Sequence, residues 1–183
     1  MISSPPSNQR RRSKYAAWTL AASTIWAGFA GAIEAPHSPA LATPVDLRAD
    51  GALAATHGNP LVVLFSLPHC QYCVVVRRNY LAPLTRLPRE EGRLIVREVE
   101  LTGTAPLAGF QGEHISGSML AARYGLQVAP AVVMLDRDGK LLAPPLLGGD
   151  TAGMYGAYLE RALEQARARL ATAASTRSTD LHP

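Results

Sequence analysis

NPLVVLFSLPHCQYCVVVRRNYLAPL, residues 59–84, contains the chain's only two cysteines, Cys70 and Cys73, and its two halves follow different patterns. From Asn59 to Leu67 the residues are almost continuously apolar and often β-branched, which is how a strand covered on both faces reads. A helix is expected from about Cys70, bending near Pro83, because an interior proline lacks the N–H that the preceding turn would use. The strand ends at Leu67, so Cys70 stands at the helix N-terminus and Cys73 one turn further along. Unpaired N–H groups and the positive end of the helix dipole stabilise a thiolate at Cys70. Cys73 lies deeper and is placed to attack Cys70 once Cys70 has formed a mixed disulfide. A loop this small is worth little as a staple, so the spacing points to exchange.

Outward from this stretch the pattern keeps alternating. RLIVREVEL (Arg93 to Leu101) reads as a second strand, expected in the middle of the sheet, and SMLAARYGL (Ser118 to Leu126) as a helix stopped by Gly125. PAVVMLDRDGKLLAPPLLG (Pro130 to Gly148) reads as a hairpin with its turn at Asp138-Gly139. Asp150 is expected to cap a long amphipathic helix whose inner side carries Met154, Tyr158, Leu159, Ala162, Leu163, Ala166 and Leu170. The order β, α, β, α, β, β, α implies an α/β fold, a central sheet with helices on both faces. The domain boundaries expected are 43–58 for a linker and N-terminal extension, 59–170 for the folded domain and 171–183 for a disordered tail. The segment 102–118 is longer than a simple link, and reads either as a specificity loop or as a tolerated insertion.

FSLPHCQYC after a buried strand, YGLQVAPAVVMLDRDGK before the hairpin and the final helix together resemble the thioredoxin superfamily. The resemblance covers most of residues 46–170 and implies a three-layer fold with a central mixed β-sheet flanked by helices. It implies a thiol-disulfide oxidoreductase with Cys70 and Cys73 as catalytic residues. It further implies a cis bond at Pro130 facing the disulfide, and pairing of the Ala129 backbone with the substrate chain. There are departures. His69 stands where thioredoxin has tryptophan, and Leu64 where it keeps a buried aspartate for proton transfer. Tyr72 matches glutaredoxin-like and periplasmic isomerase-like motifs without their proline. The stretch looks most like secreted thioredoxin-fold proteins of bacterial periplasms.

The leader agrees with that address. Arg10, Arg11, Arg12 and Lys14 precede an uncharged run from Tyr15 to Ile33, followed by Ala-x-Ala sites at Ala30–Ala32 and Ala40–Ala42. Residues 1–42 read as a signal peptide or, alternatively, an N-terminal membrane anchor. Either way the domain is expected outside the cytoplasm, in the periplasm. Most of the net charge of +4 sits in that leader, so the basicity gives no reason to expect a nucleic-acid partner. GxGxxG and P-loop patterns are absent, so no flavin or nicotinamide cofactor is expected. The expected partners are a protein disulfide substrate and a membrane electron donor. The chain lacks a separate dimer module of the isomerase type, and a monomer is expected.

Each candidate residue has a plainer reading. Tyr72 either touches substrate or simply covers the disulfide. His69 either steadies the Cys70 thiolate when protonated or is a solvated loop histidine. Among Arg97, Glu98 and Glu100, one group could replace the missing aspartate, or they mark the strand's wet end or pair with one another. Two other classes compete with the enzyme. A copper or zinc carrier would use Cys70 and Cys73 with His69 or His114, but two convincing ligands fall short of the four a structural zinc takes, so no metal site is assigned. A scaffold with a passive disulfide is the other, and the helix-start position of Cys70 speaks against it.

Overall fold

The computed structural model describes residues 40–88 and 93–179, with side chains through 176. In chain order the elements are α1 (Leu47–Thr56), β1 (Leu61–Ser66), α2 (Gln71–Val75), a π-helical stretch (Val76–Leu81), α3 (Ala82–Leu84), β2 (Ile95–Glu100), β3 (Pro106–Ala108), β4 (His114–Ser116), α4 (Gly117–Arg123), β5 (Ala131–Leu135), β6 (Leu146–Leu147) and α5 (Tyr155–Thr179). The main sheet runs β2-β1-β5-β6, parallel between β2 and β1 and antiparallel across the other two pairings.

β1 is apolar throughout because both its faces are covered. All six of its residues are buried. Val62 and Leu64 pack with Val76 and Leu81 of the cysteine-bearing helix and with Leu159 and Leu163 of α5. Leu61, Val63 and Phe65 point the other way, to Leu47 of α1, Leu120 of α4, and Leu107 and Ile115 of the β3–β4 hairpin. Each fully buried aliphatic side chain here contributes about 1.5–3 kcal/mol relative to exposure. The result is the expected three-layer arrangement around a mixed sheet.

Several expectations need correction. The strand 93–101 lies at the sheet edge, with β1 in the interior. Its outer side is met near Ala42, whose carbonyl accepts the Glu98 N–H at 3.0 Å. Arg97, Glu98 and Glu100 do not pair with one another. Neighbours on a strand face opposite ways, so Arg97 meets Asp50 of α1 and Glu98 meets Arg77 beyond α2. Glu100 bonds the Thr102 hydroxyl at 3.2 Å.

Within the stretch read as a linker and extension, residues 47–56 form α1, capped by the Asp46 carboxylate, which accepts from Arg48 N at 2.9 Å and Ala49 N at 3.1 Å. The segment 102–118 contains the β3–β4 hairpin, which puts Leu107, Phe110 and Ile115 into the core. The bend expected at Pro83 is preceded by the π-helical stretch, where the Ala82 N–H reaches Arg77 O, one residue beyond an α-helical partner. α4 ends as read: Gly125 follows it with φ of 67°.

α5 starts at Tyr155, later than Asp150, and runs on through residues expected to be disordered, to Thr179. Residues 180–183 lie outside the described residues. Leu159, Ala162, Leu163 and Ala166 are buried as read and Leu170 is partly so, but Met154 and Tyr158 face outward and Tyr155 takes the inner place. Of the leader, residues 1–39 lie outside the described residues. Among the described residues no helix is long and apolar enough to cross a membrane.

Candidate active site

The end of β1 determines where the cysteines stand. After Ser66 the chain turns through Pro68 and His69, and His69 adopts φ of 58°, the left-handed region that a β-carbon disfavours. That turn delivers Cys70 to the N-cap of α2 in extended conformation. Its Sγ accepts the Cys73 N–H at 3.1 Å, satisfying one of the helix's unpaired donors. Cys70 is half-buried and Cys73 has no exposed surface. The two are joined as a disulfide with Cα atoms 5.2 Å apart.

Ala129 and Pro130 come to the same end of the sheet. β5 begins at Ala131, whose register partner is Phe65, one residue from the end of β1. The Ala129–Pro130 peptide bond is cis, as the resemblance implies. Pro130 is buried and its carbonyl accepts the Gly148 N–H at 2.8 Å, while Ala129 is half-buried. Tyr72 is 56% exposed and His69 is exposed.

The sequence reading missed two further features. The first is the segment 148–154. A β-carbon at Gly149 would lie 2.8 Å from that of Tyr72, so this close approach requires glycine. Gly149 also lines a pocket of ≈ 250 Å³ with Leu147, Asp150, Met154 and Tyr158, a wall of mixed polar and apolar character. The segment is tied to the cysteine helix by Tyr80, whose hydroxyl donates to Asp150 and whose ring lies 5.0 Å from that of Tyr155. The second is the Arg77–Glu98 ion pair. Positions 70, 74 and 77 share one helix face, and that spacing was the available signal. The partner on β2 depends on strand order, which the spacing does not contain.

Asp150 gives a pH-dependent prediction. The Tyr80 hydroxyl, followed by the N–H groups of Tyr155, Gly153 and Met154, holds its carboxyl below the usual carboxylate range. A carboxyl depressed on folding contributes stability above its unfolded pKa, about 3.9, and that contribution is lost as pH falls through the folded value. Wild type is therefore expected to exceed Tyr80→Phe in stability at neutral pH, and the gap to narrow in acid below about pH 4. Urea midpoints of both proteins across that range check this, and a gap independent of pH would contradict it.

Among the described residues no three His, Cys, Asp or Glu side chains stand together as metal ligands would.

A disulfide placed across the first turn of the helix that follows a buried strand is how proteins that exchange disulfides with other thiols hold their reactive pair. The thioredoxin-like domain family matches residues 47–163, well over half of the chain, and the chain belongs to that family. It is a thiol-disulfide oxidoreductase of thioredoxin-like fold. Among solved structures it is similar to a thioredoxin-fold protein from Helicobacter pylori, at 18% identity over 67% of this chain and 86% of that one, with a TM-score of 0.45. It is also similar to a DsbH oxidoreductase, at 18% identity over 70% of this chain and 89% of that one, with a TM-score of 0.44. No curated protein matches it.

Proposed function

We propose that the protein reduces disulfides of partner proteins outside the cytoplasm, with Cys70 as the attacking thiolate and Cys73 as the resolving thiol. The contrast between a half-buried Cys70 at a helix N-cap and a fully buried Cys73 carries this reading. An accessible sulfur at the positive end of a helix ionises and attacks, whereas a buried one is shielded from outside disulfides and reacts within the protein. In the first step Cys70 attacks a substrate disulfide, forming a mixed disulfide and releasing one substrate thiolate. In the second, Cys73 gives up its proton and attacks Cys70, releasing the second substrate thiol and closing the Cys70–Cys73 bond. The two electrons have then passed to the substrate.

The substrate chain lies across Ala129, Pro130, His69 and Tyr72 in this reading, with the apolar side chains of Leu147 and Met154 beside it. The leader supports a periplasmic location, in which a membrane electron donor returns the disulfide to the dithiol, and the protein acts as a monomer. Between the cysteine helix and β5 the described residues hold β2, the β3–β4 hairpin and α4. That arrangement favours a thioredoxin-like potential, about −270 mV, over that of a strong periplasmic oxidant, about −120 mV. The pre-reduced protein is expected to reduce insulin, and its equilibrium with glutathione buffers to give the lower potential. A disulfide that even weakly reducing glutathione mixtures open would make the protein an oxidant.

A further inference from the structure

Cys70 borders a cleft of ≈ 350 Å³ whose walls include Ser66, Val74, Arg77, Glu98 and Glu100. Arg77 and Glu98 meet there through two hydrogen bonds, Nε to Oε2 at 2.6 Å and Nη2 to Oε1. Their side chains are only 16% and 15% exposed, so solvent screens them weakly. The pair is bidentate, the strongest form of carboxylate–guanidinium contact, and it presents almost no net charge to the cleft. Taken singly, either member would place a full charge in the same cleft as the reactive sulfur.

We propose that Glu98 covers the charge of Arg77 and thereby sets how readily Cys70 ionises and how strongly the Cys70–Cys73 couple reduces. The inference rests on the function proposed above and assigns Glu98 and Arg77 as positioning residues for that exchange. Reduction by glutathione breaks the Cys70–Cys73 bond and takes two electrons from two glutathione thiols, which leave as glutathione disulfide. One of the two glutathione protons goes to Cys73; the other passes to solvent where Cys70 remains a thiolate, and to Cys70 where it does not. Any uncovered positive charge in the cleft stabilises that thiolate, hence the reduced protein, and makes the disulfide easier to open. An uncovered negative charge does the reverse. His69 in the turn and Glu100 on β2 are the other charged or titratable groups lining the cleft, and both are unchanged in every variant below.

Opposite signs for the two halves of one ion pair are what separate this role from a structural one. In the full-length protein, Glu98→Gln keeps the side-chain shape but bares Arg77. The Cys70 thiolate fraction, read by ultraviolet absorbance against pH, is expected to rise about tenfold below its midpoint, the size of one unit charge in a partly buried site. The glutathione equilibrium shifts toward the reduced protein by the same factor, or about 30 mV. Arg77→Gln bares Glu98 and moves both readouts the other way. The double variant Arg77→Gln/Glu98→Gln returns near wild type, and Arg77→Lys keeps the wild-type values. Single variants that shift in the same direction, or that both stay at the wild-type value, overturn the assignment while the exchange reading stands. A wild-type disulfide that never equilibrates with glutathione removes the exchange reading, and this inference with it. Should one single variant unfold, the other decides by its sign: a shift of both readouts in the direction stated for it sustains the charge-cover role, and a wild-type or opposite value overturns it.

Discussion

Cys70→Ser is expected to lower protein-disulfide reduction by roughly 10³-fold or more, the scale on which an enzyme loses activity with its nucleophile. No other thiol remains outside the fold to replace it, because Cys73 has no exposed surface. Cys73→Ser should fail differently. Cys70 would still sit at the N-cap of α2, where the backbone N–H of residue 73 points at its sulfur. It therefore still ionises and attacks, but nothing resolves the product. Such a variant is expected to accumulate mixed disulfides with substrate proteins, visible on non-reducing gels and released by dithiothreitol. Alkylation rates provide the control: Cys70 in Cys73→Ser should react with iodoacetamide faster than an unstructured thiol at the same pH, reflecting its thiolate fraction. If the capturing cysteine were instead Cys73, trapped by Cys70→Ser, the two roles would have to be exchanged.

The cysteine positions were legible in the sequence because they follow from local signals. A two-sided apolar strand, a turn and a helix start are all written within residues 59–84, and the structure places Cys70 at the cap on that basis. Strand order was less legible. β2 has the alternation of a half-buried strand, yet whether it lies in the middle or at the edge depends on its long-range pairing with β1 and, among the described residues, on the lack of another strand beyond it. The misplacement of β2 also hid the partners of Arg97 and Glu98, since each reaches a helix on a different face. The hairpin in 102–118 was obscured because its strands are only three residues long and its turn is rich in glycine. At the C-terminus, ATAASTRST lacks apolar periodicity and was read as disordered. Its alanines supply intrinsic helix propensity, and a helix already nucleated by the packed residues 155–166 extends through them at little cost. Asp150 was found as a helix-start residue, but its carboxylate is shared with Tyr80 across the cysteine helix, and a sequence window does not show that partner.

Phe65→Ala is expected to destabilise the domain by about 3–5 kcal/mol, the usual cost of removing a buried phenylalanine. Phe65 is fully buried on the second face of β1, against the α1, α4 and hairpin layer. Its ring meets the edge of Tyr124 at 6.4 Å between centroids. Tyr124 is itself anchored, donating from its hydroxyl to Gly139 O at 2.9 Å, and burial pushes its pKa up to about 12. With one neighbour fixed and the strand held on both sides, the walls have little room to collapse into the space left behind. The full cavity cost is then retained. Against a typical total of about 5–15 kcal/mol, that is about a fifth or more of the stability. Phe65→Leu keeps most of the volume and should cost less than about 1.5 kcal/mol. Urea denaturation of the three reduced proteins tests the order, with midpoints falling from wild type to Phe65→Leu to Phe65→Ala. A Phe65→Ala midpoint equal to wild type would show that this face of β1 is not packed as described. Below its unfolding transition, Phe65→Ala should still exchange disulfides, because the cavity lies under the sheet face opposite the cysteine helix and leaves the Cys70 cap in place.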